Sequence, residues 1–196
     1  MLYKNPTRAL GANEPPAPAS CGNPRNLNAF EFHPHALNAW HVCCCNNHQP
    51  AAARVAHLQP DLNFIHSAAI LHDIGIFLTD SPGLDCHGTE PYIRHGILGR
   101  DILDALGHPR HALVCERHVG VGISAEDIQR FHLPLPERDM RPVSLEEEII
   151  CYADKFFSKN GNGASREKSV AEIVESLGRY GAGHVQRFMR WVERFG

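Results

Sequence analysis

The sequence predicts an all-α domain, and three observations carry that reading. Apolar residues recur at intervals of three and four over stretches long enough for helices. Asp, Ser or Pro stands where those stretches begin and Gly where several of them end. No stretch alternates apolar and polar side chains in the way a half-buried strand requires.

Taken in order, Asp61 caps a first helix that runs through Leu62, Ile65, Ala68, Ala69 and Leu71 to His72 and Asp73, with Gly75 as its stop. Ser81-Pro82-Gly83 marks a turn. Thr89 followed by Pro91 opens a second helix, whose Ile93, Ile97, Leu98, Ile102, Leu103 and Leu106 form a buried stripe and which Gly107 closes. Pro109 starts a third helix that reaches Arg117 and His118. Ser124 with Asp127, and Ser144 with Glu147, stand at capping-box spacing and predict helices over 124–131 and 144–159. Two further helices are expected over 165–178 and 181–195. Half of the 14 prolines fall in the first 50 residues, and the segment from Asn13 to Asn28 has almost no large apolar side chain. Such a segment cannot bury enough surface to offset its ordering entropy, so residues 1–30 are expected to be a disordered or loosely attached tail and 31–196 the folded domain.

Composition narrows the function. The chain has 196 residues, 19 Lys+Arg against 22 Asp+Glu and a formal charge of -3. That balance supplies no basic field for duplex nucleic acid or for an anionic membrane. No apolar run is long enough for a transmembrane span or a signal peptide, so a cytoplasmic location is expected. The seven Cys, three of them consecutive at Cys43, Cys44 and Cys45, lack C-x-x-C spacing and read as reduced thiols that pack as small hydrophobes. The 14 His, several beside Asp or Gly, lean towards a transition-metal site, because imidazole and carboxylate are its usual ligands.

The strongest local signal is Ala68-Ala69-Ile70-Leu71-His72-Asp73-Ile74-Gly75. Adjacent residues differ by about 100° around a helix, so His72 and Asp73 can reach one ion only at a helix end or an irregular turn. The alternative is a His and an Asp capping a helix C-terminus, where the Asp opposes the helix dipole. His95-Gly96 falls in the second helix and His118 ends the third. Asp154 lies at the apolar face of its helix, near Ile150, Cys151 and Phe157; a carboxylate there needs a partner, either a metal ion or the neighbouring Lys155.

In this order, an upstream His followed by His72-Asp73-Ile74-Gly75, His95-Gly96, His118 and Asp154 resembles the HD superfamily of all-helical, metal-dependent phosphohydrolases. The two additional histidines resemble its binuclear branch, which includes the bacterial HD-type hydrolases of diadenosine tetraphosphate. The resemblance covers residues 36–160. It implies that His72, Asp73 and Asp154 hold one divalent ion (Fe, Mn or Zn) and His95 and His118 a second, with Asp73 bridging. It implies hydrolysis of a small phosphate ester or anhydride, a nucleotide being expected, by metal-activated hydroxide. Many members follow the tetrad with Lys or Arg, whereas this chain has Ile76 and Phe77. Arg94, Arg117 and Lys155, each beside a proposed ligand, are the candidates to contact a substrate phosphate instead. For the upstream ligand, family spacing favours His41, 31 residues before His72, over His48, which stands two residues before Pro50. His66 shares a helix face with Asp73, which allows it to support the site from behind, but a core or surface role is the expectation. Two other outcomes fit the same ligand order: a mixed-valence di-iron oxygenase, and a non-catalytic sensor of metal or nucleotide.

Overall fold

A computed structural model of the chain describes residues 55–157 and 167–196. The expectations for the tail, for the Cys43–Cys45 run and for His41 and His48 lie outside the described residues.

Among the described residues seven α-helices dominate: α1 (Leu62–Leu71), α2 (His95–Ala105), α3 (Pro109–Arg117), α4 (Ala125–Arg130), α5 (Leu145–Lys155), α6 (Val170–Gly178) and α7 (Ala182–Phe195). The all-α expectation is met. One feature too short to be signalled by alternation interrupts it, an antiparallel pair of two-residue strands, β1 (Asp80–Ser81) and β2 (Cys86–His87).

The predicted boundaries hold where a side chain or a glycine enforces them. Asp61 accepts a hydrogen bond from the Phe64 amide. Ser124 and Asp127 form a complete capping box. Gly107, at φ 79°, closes α2 with its own amide on the Asp104 carbonyl and that of His108 on the Leu103 carbonyl, the paired bonds of a Schellman motif. Ser144 caps α5 by accepting from the Glu147 amide, but Glu147 does not reciprocate; its carboxylate takes the Val143 amide and the Arg117 guanidinium. The start of α6 falls later than expected, at a capping box of Ser169 and Glu172.

The main core joins α1, α3, α5, α6 and α7 through Phe64, Ile65, Val114, Ile150, Ile173, Phe188 and Trp191. The last two helices, which contribute nothing to the ligand pattern, therefore complete the hydrophobic centre on which α5 rests. Cys151, fully buried in that core, has its thiol pushed up from about 9 to about 12 by burial. Cys115 is shifted in the same direction, again by burial and then by the charge of Asp73. Neither thiol is therefore expected to react with iodoacetamide at pH 8 in the folded protein, and both should react after denaturation; peptide mass mapping checks this. A thiol pKa raised by folding also implies stability that is complete below about pH 9 and is lost as the pH rises from there towards 12.

A second contact, made by glycines, brings the ligand-bearing segments together. Gly75 lies directly against the His95 carbonyl and the Gly99 backbone. A Cβ on Gly96 would stand 2.6 Å from the Cys115 carbonyl, and one on Gly99 3.2 Å from the Cys115 sulfur. Gly75, read from the sequence as the stop of α1, is not among the glycines with positive φ. It is a close-approach residue inside a 3-10 turn (Ile74–Leu78) that lets this turn, α2 and α3 meet without side chains between them.

Candidate metal centre

Helix termini build the centre. His72 is the C-cap of α1, Asp73 follows it at φ -102° and ψ 9°, His95 is the first residue of α2, and His118 is the C-cap of α3. Asp73 therefore occupies the bridge region of backbone space, outside the helix, and this resolves how two adjacent residues face one place. Asp154 comes from the last turn of α5. All five are buried.

The three histidines are oriented by the same device. The Nδ1 of His72 donates to the Ala69 carbonyl at 2.6 Å, that of His95 to the Tyr92 carbonyl at 2.7 Å and that of His118 to the Cys115 carbonyl at 2.8 Å. In each case the acceptor lies three residues upstream. For His72 and His118 it is one of the last four carbonyls of a helix, which have no partner within that helix. A carbonyl only accepts, so Nδ1 carries the proton and Nε2 of the neutral ring presents a lone pair, the tautomer a metal-ligating histidine needs.

Those Nε2 atoms converge on Asp73. Its Oδ2 lies 3.1 Å from His72 Nε2, while its Oδ1 lies 3.2 Å from His118 Nε2 and 3.6 Å from His95 Nε2. His72 Nε2 also stands 3.6 Å from Asp154 Oδ1, and His95 Nε2 3.1 Å from His118 Nε2. Two imidazole nitrogens whose protons are committed elsewhere face each other at hydrogen-bond distance. A cation between them, or a proton on one, is what reconciles that approach. His72, Asp73 and His118 together meet the geometry of a group able to hold a metal ion. The donor set of imidazole and carboxylate suits Fe, Mn or Zn, and two buried carboxylates favour a divalent charge.

The three cations proposed to meet a phosphate have different surroundings. Lys155 Nζ lies 3.3 Å from Asp154 Oδ2, against the centre. Arg117 is turned to Glu147, at 3.0 and 3.1 Å to the two carboxylate oxygens. Arg94 pairs with Glu90 at 2.8 Å and donates to the Pro134 carbonyl at 3.2 Å. His66 is exposed. Sequence reasoning passed over the three carbonyl partners, and also Glu116, a carboxylate buried one turn from Ala112 and gripped by Arg100 and Arg138. A Glu two residues before a proposed ligand was the available signal; its two partners, 16 and 22 residues away in sequence, gave none.

A helical domain whose helix ends gather histidines and aspartates of metal-ligand type is the class that fold and site define. The family description "HD domain" matches residues 35–158, and the chain belongs to this family. It is similar to an uncharacterized protein of Methanocaldococcus jannaschii, 39% identical over 97 residues, which are 49% of this chain and 50% of the relative. It is also similar to two proteins named tRNA (cytidine(56)-2'-O)-methyltransferase. The one from Picrophilus torridus is 35% identical over 109 residues (55% of this chain, 28% of the relative), and the one from Thermoplasma volcanium 33% over 132 residues (67% and 34%). The chain thus spans half or less of the length of these curated relatives. No solved structure matches it. Among the described residues no helix is long and apolar enough to cross a membrane.

Proposed function

We propose that the chain is a binuclear metal-dependent phosphohydrolase acting on a small phosphate ester or anhydride, with a nucleotide as the expected substrate. One observation carries the binuclear reading: the two oxygens of Asp73 face different ligand sets. Oδ2 faces His72, which is itself next to Asp154, and Oδ1 faces His95 and His118. His72, Asp73 and Asp154 would hold one ion, Asp73, His95 and His118 the other, with His41 completing the first set. When bound, two such ions supply Lewis-acid polarisation of a phosphoryl oxygen and a hydrolytic water of lowered pKa. The chain's own part is orientation. The carbonyls of Ala69, Tyr92 and Cys115 hold the three rings in the ligating tautomer, and burial of the five side chains keeps bulk water from competing. Lys155, next to Asp154, is the residue placed to meet a substrate phosphate, whereas Arg117 and Arg94 are engaged by Glu147 and Glu90.

The methyltransferase name of two relatives belongs to chains of which this one matches 28% and 34%, and it is not carried over. The reading is tested by screening nucleotides and an aryl phosphate with added manganese, iron or zinc. Turnover that needs metal and falls in Lys155→Ala chiefly through KM supports it. No turnover on any substrate, with metal bound, favours a sensor instead.

The upstream ligand has its own test. His41→Ala is expected to weaken metal binding by roughly the 10–100-fold or more seen on losing even outer-shell partners, and His48→Ala to change it little. Metal titration of both variants decides; the reverse ranking assigns the position to His48.

A further inference from the structure

A polar cavity of about 420 Å³ lies apart from these ligands, sharing no residue with them. Its walls come from α4, from the segment around Asp139–Arg141 and from the first turn of α7. Its carboxylates are mostly spoken for. Asp127 Oδ2 accepts from the Ser124 amide at 3.0 Å and the Ser124 hydroxyl at 2.7 Å, with His184 Nε2 at 3.4 Å. Asp139 takes the Arg141 guanidinium and amide. That leaves Glu126 on the rim against two further cations, Arg130 and Arg187.

Arg130 has no ion-pair partner among the described residues, lies over the Phe131 ring and places Nη1 beside Gly181. Arg187 is half-buried and donates Nη1 to the Val121 and Gly122 carbonyls at 2.9 and 3.2 Å. Burial, and then repulsion from Arg141, make its charge harder to hold than that of a free guanidinium. The same wall contains Gly181, Ala182 and Gly183, where the 14-residue α7 begins without any side-chain cap. The amides of Ala182 and Gly183, the positive end of a helix dipole, the exposed Arg130 guanidinium and that of Arg187, which also feels the charges of Asp127 and Asp139, thus line one cavity.

We propose that this cavity is a binding site for a phosphoryl dianion, either inorganic phosphate or a phosphomonoester, held by Arg130, Arg187 and the first amides of α7. The site is independent of any metal. Because Arg187 also grips the carbonyls of Val121 and Gly122, three and four residues after His118, an occupant is tied through one side chain to the turn that follows that residue.

The test is calorimetric titration of the full chain, stripped of metal by chelator, with inorganic phosphate and separately with adenosine monophosphate, at ionic strength matched with chloride. Saturable binding of phosphate is expected in the wild-type protein and in His118→Ala. Arg130→Gln and Gly183→Asp are each expected to weaken it about tenfold or more. Gly183 has open space where its Cβ would stand, and a carboxylate in the first turn of a helix stabilises that helix. Gly183→Asp should therefore keep or raise the melting temperature while repelling the anion, which separates lost binding from lost folding. Equal affinity for both ligands identifies the free anion as the source, and a gain from the nucleoside identifies the phosphomonoester; either supports the site. Phosphate binding unchanged in both variants, lost in His118→Ala, or absent from the wild-type protein overturns it. The stripped protein makes this outcome independent of the phosphohydrolase reading.

Discussion

Asp73→Ala is expected to remove metal-dependent turnover while leaving the helical fold in place. The physical reason is the division of one carboxylate between two sets of imidazoles: Oδ2 towards His72, Oδ1 towards His95 and His118. Removing it withdraws a ligand from both proposed ions at once, so metal affinity should fall by more than the roughly 10–100-fold typical of an outer-shell loss. The fold should survive because the residue lies after α1, outside its apolar face, and the core residues Phe64, Ile65, Ala68 and Ala69 are untouched. Circular dichroism and kinetics are read on the same preparation. A variant that keeps its helical signal and most of its turnover removes Asp73 from the site.

The second large effect is on stability. Gly75→Ala would drive a methyl group into the His95 carbonyl and the Gly99 backbone, neither of which is the flexible end of a side chain. Overpacking a well-filled core costs about 1–3 kcal/mol, and a clash with backbone belongs at or above the top of that range. The damage should also reach the centre, because the clash pushes on the segment carrying His95. Denaturant unfolding monitored with metal affinity is expected to show both losses together, whereas Gly183→Ala, where a Cβ meets nothing, should show neither. An unchanged unfolding midpoint in Gly75→Ala contradicts the close-approach role.

These effects also show what was legible in the sequence. Helices were readable where a local rule acts within four residues: Asp61 on Phe64, Ser124 with Asp127, Gly107 ahead of His108. The order of His72, Asp73, His95, His118 and Asp154 was readable because it resembles a known family; the structure places His72, Asp73 and His118 within reach of one ion, with His95 and Asp154 beside them. What sequence could not supply depends on contacts distant in the chain. Gly75 looks like any helix stop until α2 is placed against it. Glu147 has capping-box spacing from Ser144, yet Arg117, 30 residues away, offers a charged partner and wins it. The β1–β2 pair has two residues per strand, too few for alternation to register. The Ser169–Glu172 box, by contrast, was a readable signal that places the start of α6, and the expectation of 165–178 overran it.

The binuclear claim is tested most directly by counting metal. The 196-residue chain is stripped with chelator, reloaded in turn with iron, manganese and zinc, desalted, and analysed for metal per chain by elemental analysis. About two ions per chain are expected with at least one of these metals, falling to one or none in Asp73→Ala. A wild-type protein that takes up one ion or none with every metal contradicts a centre in which Asp73 serves two ions.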